Sequence, residues 1–292
     1  MTQQSNPGPV PAARPANENP PEITPDIIDA PLPFPGASGA GIRVAIIDSG
    51  VNPRHPHIVS CAGGVGIGNS AADPSANDSP ANVVENAGIE NAPSPLPYDD
   101  FLGHGTAVTA AIQEKAPGAE YYAVKLFDRS LSTSIDLLTE AIEWALDQRM
   151  DVINLSLGTR NANHIARMEP LVKRALEQGA ILVSARESDG HLCYPGSLPG
   201  VLSVGLDWEI DRNRFRIEDS DSASVFYASG YPRSLPNMPR RRNLHGISFA
   251  VANMSGMLIR ACEVVRAQGA APTLDAVSAT LRAELERLAH EA

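Results

Sequence analysis

Cysteine is scarce in this chain, with Cys61, Cys193 and Cys262 the three among 292 residues. Three widely spaced thiols fit neither a disulfide framework nor the paired spacing of a zinc site. With no compelling cluster of acidic ligands either, no metal and no cofactor is expected, and the scarce thiols suit a reducing, cytoplasmic setting. A basic excess is missing too. The 34 acidic residues outnumber 23 Lys and Arg, for a net charge of -11. That balance argues against nucleic acid or an anionic membrane as the main partner. No uninterrupted apolar run nears the ~20 residues of a bilayer span. The N-terminus lacks the basic-then-apolar order of a secretory signal.

What is present is a soluble composition, 43% hydrophobic and 20% charged, long enough to bury a large core. Residues 1–40 carry ten of the 25 prolines and few large apolar side chains, so they read as an extended or disordered tail. Ile23, Ile27, Ile28, Leu32 and Phe34 would let it wrap the surface. A domain over 41–292 follows. Residues 61–99 form a long loop rich in Gly, Ala, Asn, Ser, Pro and Asp, of the kind that is either functional or disordered.

Ile42–Ile47 is a β-branched strand ending in Asp48-Ser49-Gly50, which puts a carboxylate at the strand's C-terminal edge. Gly103-His104-Gly105-Thr106 stands at the mouth of a small apolar helix, where flanking glycines admit close approach to the imidazole. Leu244–Gly256 places Ser248 where a loop becomes a helix, a position that suits an N-cap or a nucleophile beside free N–H donors. Between them, Glu120–Phe127, Val152–Leu155, Ile181–Ser184 and Val201–Val204 read as strands. Thr133–Gln148 and Ile165–Gln178 read as amphipathic helices, and 273–291 as a terminal one. The alternation predicts an α/β fold with a mostly parallel central sheet and helices on both faces.

Asp48, His104 and Ser248 in that order, within strand-Asp-Ser-Gly, Gly-His-Gly-Thr and Gly-x-Ser-x-Ala, resemble the subtilisin-like serine proteases, whose triad order is a known template. The likeness runs from about Gly41 to about Gln268. It implies a subtilisin-like fold and a catalytic triad that cleaves peptide bonds through an acyl-enzyme on Ser248. In that chemistry His104 is the base and Asp48 its orienting carboxylate. Ser156, Leu157 and Gly158 resemble the segment that pairs with an extended substrate, and Ser130-Leu131-Ser132 the opposite cleft wall. A peptide or protein substrate is implied, and a protein partner or activator is allowed.

The pattern also departs from the family. The usual Ala-Gly-Asn, whose amide donates to the oxyanion, is missing from Ser184-Ala185-Arg186-Glu187-Ser188, where Arg186 stands at the position of the Asn. Arg186 either substitutes as a charged donor or pairs with Glu187 and faces solvent. Phe249 stands where Met is usual, and Asn253 where His is usual, with no role legible for it. The expectation is an intracellular, dedicated processing endopeptidase. The alternatives are a silent peptide-binding subtilase fold, or a transpeptidase or cyclase using the same acyl-enzyme.

Overall fold

Val44–Ile47, Val152–Ile153 and Ile181–Val183 are apolar on both sides, the pattern of strands covered from both faces. The computed structural model places them at the centre of one sheet. It describes residues 29–68, 96–127, 130–220, 223–235, 238–239 and 242–291. The strands are β1 (Arg43–Asp48), β2 (Gly63–Gly66), β3 (Glu120–Lys125), β4 (Val152–Leu155) and β5 (Ile181–Ala185). A short hairpin, β6 (Glu187–Ser188) and β7 (His191–Leu192), precedes β8 (Leu202–Leu206), β9 (Phe215–Asp219) and β10 (Ser224–Ala228). Eight of them form the sheet in the order β2-β3-β1-β4-β5-β8-β10-β9. Every pairing in it is parallel except β9 with β10.

Helices cover both faces, as the alternation predicted. The helices α1 (His104–Lys115), α4 (Ile247–Ala267) and α5 (Leu274–Glu291) pack with Val44, Ile46, Val183 and Val204. On the other face, α2 (Ile135–Asp147) and α3 (Ile165–Gln178) pack with Ala45, Ile47, Ile153 and Leu182. Because strand side chains alternate, β1 feeds both cores. Within the stretch expected to be a loop, Gly63–Gly66 forms β2 and pairs with β3. Residues 69–95 of that loop and 1–28 of the tail, with Ile23, Ile27 and Ile28, lie outside the described residues.

The 21-residue α4 is long enough, and over 18 residues apolar enough with a mean hydropathy of 1.2, to match a bilayer span, although charged residues interrupt it. Here 78% of its span-length window is buried inside the fold, so it is the central helix of the first core.

Residues 29–40 are held by the body. The Glu263 carboxylate accepts the N–H groups of Ser38, Gly39 and Ala40, and Glu284 accepts that of Phe34 at 2.8 Å. Arg260 donates to the carbonyls of Pro33 and Phe34, each at 2.8 Å. The buried Arg212 guanidinium binds Asp29 and Glu114. Phe34 is buried in the core, and Leu32 is half-buried.

Lys115 sits at the end of α1 with its stem beside Gly256, where a Cβ would meet it at 2.8 Å. Its ammonium is buried 3.9 Å from Glu114 and, among the described residues, has no hydrogen-bond partner. Burial first, and the nearby Arg212 charge second, push its pKa down to about 7. Between pH 7 and the ~10.4 of an unfolded lysine, the unfolded chain holds a proton that the folded chain does not. Stability contributed here therefore rises with pH across that window. Lys115→Met should raise the melting temperature by several degrees near pH 7, with the gain shrinking towards pH 10. Thermal melts across that range check both the direction and the slope.

Candidate active site

The parallel register brings two strand ends to one edge. Ile47 lies opposite Leu155, so Asp48 and Ser156 emerge side by side from β1 and β4. The start of α1 then closes on β1 at Gly105. A Cβ there would lie 2.2 Å from the Gly50 carbonyl and 3.1 Å from the Asp48 Cβ, so only glycine allows this approach.

Asp100 shapes the turn that presents His104. Its Oδ1 accepts from Ser49 Oγ, Leu102 N–H and Gly103 N–H at 2.9, 3.0 and 2.8 Å. Its Oδ2 accepts from the Thr106 N–H and hydroxyl at 2.9 and 2.6 Å. Ser49 Oγ in turn accepts the Gly105 N–H at 2.8 Å. The result is a 2.8 Å hydrogen bond from His104 Nδ1 to Asp48 Oδ1. The carboxylate accepts, so Nδ1 carries the proton and Nε2 is the free nitrogen. Sequence reading did not single out Asp100. Its signal was present, as an acidic residue one turn before a helix mouth.

Burial is the largest single influence on His104 and disfavours the imidazolium. The Asp48 hydrogen bond and charge, with the Asp100 charge, together outweigh it, and the His104 pKa is raised above the ordinary value.

Ser248 is the second residue of α4, so its N–H has no partner within the helix and lies at the helix's positive end. Gly246, with φ 132°, turns the chain into α4, and its N–H is held by the Gly230 carbonyl at 2.9 Å. Asn253, unassigned from sequence, fixes the same junction by donating to the carbonyls of Ser229 and Tyr231 at 2.8 and 2.9 Å. Phe249 is buried and packs against the His104 ring, with centroids 5.8 Å apart.

The Ser248 hydroxyl donates to the Ser156 carbonyl at 3.1 Å. His104, Ser248, Ser156, Leu157 and Gly158 line one cavity of about 390 Å³, together with the exposed Leu131 and Ser132 and the buried Phe127 and Leu138. The Leu157 carbonyl accepts from Ser184 Oγ, while the Gly158 N–H and carbonyl have no partner among the described residues. A second cavity, of about 210 Å³, lies beside Gly103 and Leu244.

Arg186 follows β5 directly, with its N–H on the Val204 carbonyl, and the residue is half-buried. Of the two alternatives for Arg186, the pairing with Glu187 is not made among the described residues. No group of three potential metal ligands occurs among them either.

His104 should titrate above the ~6.5 of an unperturbed histidine. In Asp48→Asn the carboxylate's opposing influence is lost and the value should fall. Imidazole nitrogen shifts followed by NMR through pH 5–9 measure both, and equal values would refute this electrostatic balance.

A sequence profile of the Subtilase family matches residues 39–263. The chain is 33% identical over 181 residues to the minor extracellular protease Epr of Bacillus subtilis, covering 58% of this chain and 24% of that protein. It is 29% identical over 240 residues to subtilisin E of the same organism, covering 76% and 53%. Against subtilisin Savinase of Lederbergia lenta it is 28% identical over 233 residues, covering 76% and 73%. The chain thus spans from a quarter to about half the length of the first relatives it matches. In fold it is similar to the prenylagaramide maturation protease PagA, with a TM-score of 0.53, 23% identity, and 80% and 78% of the two chains covered. A lanthipeptide protease gives 0.56, 16%, and 82% and 78%. With the family's profile laid over the sheet, α1 and most of α4, this chain belongs to the subtilases.

Proposed function

We propose that the protein is a serine endopeptidase that cleaves peptide bonds through an acyl-enzyme on Ser248. The observation that carries this reading is the 2.8 Å Asp48–His104 bond at the cavity that Ser248 shares. A serine hydroxyl is a poor nucleophile until a base takes its proton during attack. With Nδ1 committed to Asp48, His104 Nε2 is the basic nitrogen available to Ser248 and later the acid for the leaving amine. The free N–H at the start of α4 offers one donor to the oxyanion. The unpaired backbone at Gly158 suits an extended peptide added as a strand at Ser156–Gly158.

The endopeptidase assignment is supported by the two cavities beside the site, since an internal bond needs room for chain on both sides. An intracellular setting is supported by three cysteines that are free. The role is that of a dedicated processing enzyme acting on a peptide or protein precursor. A silent binding module is the second reading. It is favoured by Arg186 where an oxyanion amide is usual, a loss that costs roughly 10²–10³ in rate in subtilisin itself.

A fluorophosphonate should label Ser248 in the wild type, located by mass spectrometry, and should not label Ser248→Ala. His104→Ala should lose at least about 10³-fold in labelling rate. The rate should rise with pH, with a midpoint above ~6.5, because the neutral imidazole is the active form and its pKa is raised. A folded wild type that is never labelled would sink the enzyme reading.

A further inference from the structure

Strand β4 is apolar apart from Asn154, which is completely buried in the centre of the sheet. A buried amide is costly unless both ends are bonded, and here both are. Its Oδ1 accepts from Ser255 Oγ at 2.9 Å, and its Nδ2 donates to Ser156 Oγ at 2.9 Å. Ser156 Oγ donates onward to the Ser248 carbonyl at 3.4 Å, a long bond, while Ser248 Oγ donates back to the Ser156 carbonyl at 3.1 Å.

The spacing explains how one amide serves both. Residues 154 and 156 are two apart along extended chain and share a face. Residues 248 and 255 are seven apart, two helical turns, and share a stripe of α4. Ser255 meets Asn154 on one rung and Ser248 meets Ser156 on the next. The Asn154–Ser156 bond is what joins the two rungs.

We infer that Asn154 is a positioning residue for the nucleophile. Anchored by Ser255, it orients the Ser156 hydroxyl and so fixes the start of α4 against the substrate-pairing segment. The inference rests on the acyl-transfer reading above. It concerns a group that touches neither substrate nor the reacting atoms. Its effect should appear in kcat rather than in KM, because a nucleophile displaced by about 1 Å can lose ~10²-fold without loss of binding.

The test is a double-mutant cycle read by the second-order rate of fluorophosphonate labelling, with kcat and KM on a cleaved peptide and a thermal melt for each variant. Asn154→Ala should slow labelling roughly 10- to 100-fold and lower kcat with KM nearly unchanged. Ser156→Ala should act in the same direction, and Ser156→Thr, which keeps a hydroxyl, should recover most of the rate. Asn154→Ala/Ser156→Ala should be little worse than either single change, since both break one relay. Where Asn154→Ala does not fold, Ser255→Ala takes its place in the cycle, with a smaller loss expected. A labelled wild type with an Asn154→Ala variant of equal rate would overturn the inference, as would fully additive losses. An unlabelled wild type would instead bring down the acyl-transfer reading beneath it.

Discussion

The contact between Gly105 and the Gly50 carbonyl is the constraint on which the site depends. It fixes how closely α1 can approach the end of β1, and hence whether an imidazole on the first residue of α1 can reach a carboxylate on the last residue of β1. Around it, Asp100 and Ser49 turn six backbone or hydroxyl donors inward. The site is therefore assembled from backbone geometry first. Its chemistry follows from where the strand and helix are forced to meet.

Opposite that contact, α4 supplies the second half of the cleft and most of one core. Its first turn carries the half-buried Ser248, and its interior carries Asn253 and Ser255, both buried and both bonded outside the helix. Small residues along the helix admit neighbours closely, as at Gly256 beside Lys115. The same closeness leaves the lysine's ammonium in a place where its charge is disfavoured. Tight packing of two helices and an awkward buried charge are two sides of one fit.

Much of this architecture was legible in the sequence because its central strands are buried on both faces and read as plain apolar runs. The meeting of Asp48 and His104 at the cavity that Ser248 lines was foreshadowed as well, since each of the three stands at a punctuated junction of strand or helix. The less legible parts have physical reasons. β9 alternates Phe215 and Ile217 with Arg216 and Glu218 on a half-exposed sheet edge, so its charges mask it. β2 is three-quarters glycine, and it pairs because Gly64 must fit beneath the Tyr98 ring and against the Ala123 carbonyl, a tertiary demand that local propensity does not carry. Helix α2 starts at Ile135 rather than Thr133 because Ser134 caps it through the Leu137 N–H. Asn253 had no visible role since its partners are carbonyls of a loop more than twenty residues away.

The way residues 29–40 are fastened has a consequence for how freely that segment can change. Its anchors are mostly side chains of the body, Arg260, Glu263 and Glu284, gripping main-chain atoms of the segment. Main-chain atoms are the same whatever the residue. Apart from Phe34 and Ala37 on the core, Asp29 on Arg212, and the positive-φ Gly36 and Gly39, the segment can therefore exchange its side chains while keeping its path. The information that fixes its course is written in α4 and α5, more than two hundred residues downstream.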